Sequence, residues 1–243
     1  MQILAIDVGN TRIKWGYYAN ANRLNRGNVA NADFAQLDAT WSSLAQPQKI
    51  IISNVADEHI AENVRQLLAR WQSKPQWIEA RDYQCGLRNS YTIPQQLGCD
   101  RWAALIAAWQ LDRQASIVIN LGTAITIDSL SADGVFIGGV IVPGLHLMVQ
   151  ALAGKTVKLA TQPGAFSAFP VNTADGIRSG TLHAVCGAIE RLVRIAAREN
   201  EGKINCILSG GDAELIAPYL NVAHKIVEDL ILQGLVKIAE TED

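Results

Sequence analysis

Twice in this chain a short apolar strand runs into a polar, glycine-containing turn and returns as a second strand. Ile3 to Val8 meets Gly9-Asn10-Thr11 and comes back as Ile13 to Tyr18; Ser116 to Leu121 meets Gly122-Thr123-Ala124 and comes back as Ile125 to Leu130. Runs this short and this rich in β-branched residues, bounded by turn chemistry, read as strands. Each hairpin is followed by further strand and helix signals. Lys49 to Val55 precedes a helical spacing of Ile60, Val64, Leu67, Leu68 and Trp71, and Ile204 to Leu208 precedes a helix from Ala213 to about Tyr219. The repetition predicts a duplicated α/β architecture, residues 1–114 and 115–243, with a ligand cleft between the two lobes.

Between these landmarks lie a helix over Asp100 to Leu111, with Trp102, Leu105, Ile106 and Trp109 on one face, a strand over Val135 to Val142, and a helix over Leu145 to Leu152. Pro163 to Pro170 reads as loop, Thr173 to Asn200 as one long helix, and Lys225 to Val236 as mixed. Trp102 and Trp109 are expected in the core or at a subunit interface. Together with the long apolar helix they point to a homodimer.

With 49% hydrophobic and 18% charged residues over 243 positions, the whole chain is expected to fold. A net charge of −2 offers no basic field to hold a phosphate polymer, so no nucleic-acid partner is expected. Anionic ligands must be held locally, by backbone N–H groups and a few placed cations. No run of about 18 apolar residues occurs, and MQILAIDVGN opens as a strand rather than a secretory signal, so the expected location is the cytoplasm with no membrane span. Cys85, Cys99, Cys186 and Cys206 lack zinc or redox spacing and are expected to be reduced and mostly buried. His59, His146, His183 and His224 fall in no ligand spacing.

Neither a P-loop nor a dinucleotide fingerprint is present, so a nucleotide would have to be held by the glycine turns. Asp7-Val8-Gly9-Asn10-Thr11 could present successive N–H groups to phosphate, with Asp7 placed to hold Mg²⁺ directly or through water and Lys14 to reach a phosphate oxygen. An ordinary hairpin whose Asp7 and Asn10 bond the turn is the other reading. A second turn spans Asn120 to Thr126. A third, Ser209-Gly210-Gly211-Asp212, is predicted to open a helix whose N-terminus favours anions.

DVGNT, NLGTAIT and SGGDAE, in that order, look like the phosphate 1, phosphate 2 and adenosine motifs of the acetate kinase, sugar kinase, Hsp70 and actin superfamily. That resemblance implies two ribonuclease-H-like lobes, the actin-like ATPase fold, closing on ATP. Tyr91-x-x-Pro94, Leu97-Gly98-Cys99-Asp100-Arg101, Gly138-Gly139-x-Ile141-x-Pro143-Gly144 and Asn172-Thr173-x-x-x-Ile177-x-x-Gly180 are similar to the type III pantothenate kinases over almost the full length.

The resemblance implies ATP-dependent phosphorylation of pantothenate to 4′-phosphopantothenate, the first step of coenzyme A biosynthesis, by a homodimer. Asp7, Val8, Gly9, Asn10, Thr11, Arg12, Ile13 and Lys14 would lie along the phosphates of MgATP, and Thr123 would bind ATP. Tyr91, Gly98, Cys99, Asp100, Arg101 and Thr173 would line the pantothenate site, with Asp100 as general base. Asp100 could instead cap the helix that follows it. Arg101 suits either the pantothenate carboxylate or phosphate, or a surface ion pair. Where the family usually carries an Asp that helps hold potassium or ammonium, this chain has Asn120, which lacks the charge and implies little dependence on the monovalent cation. A sugar kinase of the same superfamily, or a nucleotide-binding regulator without catalysis, are the rival functions.

Overall fold

The computed structural model describes residues 1–20, 22–153 and 164–241, with the side chain of residue 153 left aside. Pro163, at the start of the expected loop, lies outside the described residues.

The chain divides into two compact units, Met1–Arg113 with Gly134–Phe136 and Asp229–Asp243, and Gln114–Asp133 with Ile137–Glu228. The first unit contains β1 (Gln2–Val8), β2 (Arg12–Ala19), β3 (Asn22–Ala30), α1 (Phe34–Ser42), β4 (Lys49–Asn54), α2 (Glu58–Leu68), β5 (Pro75–Trp77), β6 (Tyr83–Gln84), β7 (Leu87–Asn89) and α3 (Cys99–Asp112). The second holds β8 (Ser116–Leu121), β9 (Ala124–Leu130), most of β10 (Val135–Pro143), α4 (Leu145–Ala153), α5 (Thr173–Glu199), β11 (Asn205–Ser209), α6 (Ala213–Ile216) and β12 (Lys225–Ile226). A last helix, α7 (Leu230–Glu240), returns to the first unit.

The first sheet has the order β3-β2-β1-β4-β5, with β1 antiparallel to β2 and parallel to β4. In the second unit the order is β12-β11-β8-β9-β10, with β8 antiparallel to β9 and parallel to β11. Numbered within each unit, the strands follow one plan: the hairpin comes first and the fourth strand joins its first strand in parallel. This is the duplicated α/β plan expected from the two hairpins, and it fits the ribonuclease-H-like lobes that the resemblance implies.

Alternation along β1 decides where chemistry can sit. Leu4, Ile6 and Val8 face a core completed by Trp15, Leu37, Trp41, Val64 and Leu68 under α1 and α2. Each such fully buried side chain contributes about 1.5–3 kcal/mol. Ile3, Ala5 and Asp7 therefore point to the opposite face, which α7 and α3 cover. α7 is apolar nearly all round because it is buried between this sheet and α3; a Cβ on Gly234 would stand 1.8 Å from the Ala103 carbonyl oxygen, so the two helices meet at their backbones. The mixed composition of Lys225 to Val236 resolves into β12 and the start of this helix.

Trp102 and Trp109 are buried within the chain at 0% and 8% exposure, Trp102 donating its Nε1–H to Gln84 Oε1 at 3.0 Å. They belong to the core and supply no surface for a second subunit. β3 and α1 were not foreseen. β3 is an edge strand whose residues are mostly exposed, so it carries no apolar alternation. The segment after Ser209-Gly210-Gly211-Asp212 is one short helical turn, Ala213–Ile216, followed by a 3₁₀ turn at Ala217–Tyr219, too short for the anion-favouring N-terminus expected there. No described helix is long and apolar enough to cross a membrane.

Candidate active site

In the first unit the β1–β2 turn is closed by the Gly9 N–H donating to the Arg12 carbonyl at 3.0 Å. Asn31 supports it from the far end of β3: its Nδ2 donates to the Gly9 carbonyl at 2.8 Å and its backbone N–H to the Thr11 carbonyl at 3.1 Å. Arg12 turns sideways, its Nε donating to Asn28 Oδ1 at 2.6 Å. Gly9, Asn10 and Thr11 thus form a buttressed loop with Asn10 and Thr11 exposed.

Asp7 lies at the inner end of this turn. Lys14 stands opposite it on β2 and Ser53 on β4, so all three side chains share one face of the sheet. Asp7 is only 7% exposed and its Oδ1 is buried with no hydrogen-bond partner. Burial, and then the charge of Asp100, push its carboxyl up to about 7, against the pull of Lys14 and a hydrogen bond from Ser53. A buried carboxylate oxygen without a donor is a place for a cation. Among the described residues no group of three or more His, Cys, Asp or Glu could hold a metal ion by itself. Mg²⁺ fits that setting, because it takes one or two carboxylates and keeps waters and phosphate oxygens as its other ligands.

Asp100 approaches from α3. The N-cap position is Gly98, which makes no side-chain cap bond, and the helix starts at Cys99, so Asp100 stands in the first turn and does not cap. Its Oδ1 accepts from the Arg101 backbone N–H at 2.8 Å. Burial raises its pKa, while that N–H and the Arg101 guanidinium pull it back. Gly98 leaves room for the carboxylate, since a Cβ there would lie 2.5 Å from Asp100 Oδ1.

Cys99 fastens this turn of α3 to the end of β4. Its Sγ accepts from the Asn54 N–H at 3.3 Å, donates to the Asn54 carbonyl at 3.3 Å, and lies 3.4 Å from Ser53 Oγ. Its side chain therefore serves as an anchor, and burial raises its thiol pKa. Ser53, fully buried among the isoleucines of β4, links the Asp7 and Cys99 sides of the site and was not singled out from the sequence.

Arg101 is buried to 5% exposure, which rules out a surface pair. Its Nη1 donates to the hydroxyl of half-buried Tyr91 at 3.2 Å, and its guanidinium carbon lies 5.9 Å from the Tyr91 ring centre and 5.7 Å from that of Phe136. Tyr91, Gly98, Cys99, Asp100 and Arg101 are thus brought together in the unit that holds Asp7 to Lys14. A depression of about 500 Å³ borders Tyr91 and Asn89, lined also by Asp82, Tyr83, Arg88 and Thr92.

The remaining candidates belong to the second unit. Asn120 pairs with Thr126 across β8 and β9 below a tip formed by Gly122 and exposed Thr123. Two further glycine motifs converge on this tip. The Gly144 N–H donates to the Thr123 carbonyl at 2.9 Å, and a Cβ on Gly144 would fall 2.2 Å from the Gly122 carbonyl oxygen. Gly210, at φ +100°, would place a Cβ 2.3 Å from the Leu121 carbonyl oxygen, which also accepts the Asp212 N–H at 3.1 Å. Close backbone approach explains the glycine at positions 144 and 210. Thr173 is exposed in the first turn of α5, after the N-cap Asn172, whose side chain accepts from the Asp175 N–H.

A family model for type III pantothenate kinase matches residues 3–195. The chain belongs to the type III pantothenate kinase family. It is 47% identical to a type III pantothenate kinase of Nitrosospira multiformis over 98% of this chain and 90% of that one. To another from Nitrosomonas eutropha it is 44% identical, over 98% and 95%. Among solved structures it resembles a putative Baf family transcriptional activator from Campylobacter jejuni, with TM-score 0.64, 24% identity and coverage of 98% and 97%. It also resembles a putative 2-dehydro-3-deoxygalactonokinase from Sinorhizobium meliloti, with TM-score 0.57, 15% identity and 98% coverage of both chains. MreB5 of Spiroplasma citri bound to ADP gives TM-score 0.53 at 8% identity, covering 98% and 96%. At these identities the structures speak for the fold alone, and they agree with the actin-like ATPase and sugar-kinase class. As a kinase family, it implies ATP and a divalent cation, which the unpartnered oxygen of Asp7 suits.

Proposed function

We propose that this chain transfers the γ-phosphoryl group of ATP to the hydroxyl of pantothenate, giving 4′-phosphopantothenate for coenzyme A biosynthesis. The observation that carries the reading is the family match, which spans both units. The site geometry supports it. Asp100 is a carboxylate held in a fixed orientation by the first turn of α3, and burial moves its pKa toward working pH, as a general base requires. As the hydroxyl oxygen forms its bond to the γ-phosphorus, the bond to ADP breaks and the hydroxyl proton passes to Asp100. Asp7 and Lys14 meet the phosphate end, along the turn from Val8 through Arg12 and Ile13, and Thr123 is assigned to ATP as well. A divalent cation bound at Asp7 would neutralise charge on the β- and γ-phosphates. Tyr91, Gly98, Cys99 and Arg101, with Thr173, are assigned to pantothenate. The first unit carries Asp7 to Lys14, Tyr91 and Gly98 to Arg101, and the second carries Thr123 and Thr173.

Asn120 offers a neutral carbonyl in place of a carboxylate, so activity is expected to persist without potassium or ammonium; a strict requirement would remove that part of the reading. A homodimer is supported by exposed Ile137, Val140 and Ile141 on β10, with Phe169 and Val171 at 90% and 98% exposure. A one-chain mass in solution at micromolar concentration would contradict it. The enzyme is assigned to the cytoplasm, where its substrates would be met. The functional reading is tested by ADP release from MgATP with pantothenate and a panel of sugars: turnover with pantothenate alone is expected, and turnover with a sugar instead would make the chain a sugar kinase.

A further inference from the structure

Arg101 carries its charge in a buried setting, and two aromatic rings form the walls. Tyr91 and Phe136 lie 5.4 Å apart between centres, tilted by 40°, with the guanidinium within 6 Å of both. Phe136 is the less obvious wall, because it is 35 residues from Arg101 in sequence and is the second residue of strand β10. We propose that Phe136 is a positioning residue for acceptor recognition, fixing the Arg101 guanidinium so that its charge faces the anionic end of the acceptor.

The backbone that carries both rings is itself pinned. Phe136 pairs with Asn89 in the parallel β10–β7 ladder, and Ser90 Oγ donates to the Phe136 carbonyl. Asn89, buried to 8% exposure, accepts the Tyr91 N–H on Oδ1 at 3.0 Å and donates Nδ2–H to the Pro94 carbonyl at 3.3 Å. One short strand pairing thus sets the gap between the rings. A guanidinium confined in this way is attracted to both ring faces and needs little further ordering when an anion arrives. At 0% exposure Phe136 itself has no surface to offer a ligand, so any effect on binding must pass through what it touches. The site's cations are also divided. Lys14 acts on Asp7 and Arg101 on Asp100.

This inference rests on the proposed pantothenate reading, and the experiment separates the two. Phe136→Leu and Phe136→Met keep apolar volume and remove the ring. Steady-state ADP release would be measured for both variants with pantothenate, and with its neutral counterpart in which CH₂OH replaces the carboxylate, as substrate or as competing inhibitor. The expected result is a rise of about tenfold in KM for pantothenate, corresponding to the upper range of such ring–cation contacts. The kcat and the KM for ATP should stay within about twofold, and the constant for the neutral counterpart should not change. An equal rise for both acceptors would show a mere packing loss and overturn the inference, as would an unchanged KM or an effect on ATP. Absence of pantothenate turnover by the unmodified chain would overturn the functional reading, and this inference with it.

Discussion

Gly98→Ala tests whether the placement of Asp100 controls the reaction. The backbone at Gly98, φ −53° and ψ 133°, is open to alanine, so the substitution brings no dihedral strain. What it brings is a methyl group 2.5 Å from Asp100 Oδ1, where ordinary contact begins at 3.4 Å, and the carboxylate must retreat by about 0.9 Å. Misplacement of a reacting group by ~1 Å costs about a hundredfold in rate. The change at the N-cap costs folding about 1 kcal/mol or less, equivalent to a few degrees in Tm for a chain of this size. ADP release at saturating pantothenate and MgATP should therefore show kcat lowered about a hundredfold, with nucleotide affinity and the folded state largely kept. A folded variant whose kcat stays within about threefold of the parent, against that ~1 Å expectation, would refute the reasoning.

The folded carboxyl of Asp7 keeps its proton up to about 7, whereas the unfolded chain releases it near 3.8, so the ligand-free protein should lose stability as pH rises between those values and level off above them. Asp7→Asn, with no charge to bury, should accordingly be more stable than the parent at pH 8, on the order of 4 kcal/mol, and close to it at pH 4; thermal melts at both pH values check this, and a variant less stable at pH 8 would contradict it. Gly210→Ala, at φ +100° with the Leu121 carbonyl in its way, should cost about 2–4 kcal/mol in urea unfolding, whereas Gly211→Ala, with nothing within 4 Å, should change stability by about 0.5 kcal/mol at most.

The sheet plan was legible because β1, β4 and β8 are short β-branched runs ending in turn chemistry, and because the hairpin occurs twice. The site was partly legible for the same reason: Asp7 ends a strand, and Asp100-Arg101 opens an apolar helix. What escaped was set by tertiary contact. β3 is polar because it is an edge with both faces largely wet, so its strand nature lies in its pairing with β2 rather than in its own pattern. α7 looked mixed because it is covered on both sides and needs no polar face. The ordinary capping preference of Asp suggested position 100 as the start of α3, but the chain enters the helix at Gly98, where absence of a side chain matters more than a capping oxygen. Ser53 and Phe136 look like core residues in sequence, and only the fold brings the first beside Asp7 and the second beside Arg101.

The most direct test of the account is the turnover number of Asp100→Asn with pantothenate and MgATP, measured beside its affinity for the nucleotide. If Asp100 takes the hydroxyl proton, kcat falls by about 10² to 10⁴ while nucleotide binding persists. Turnover near that of the unmodified enzyme would mean that the proton leaves by another route and that the site has been read wrongly.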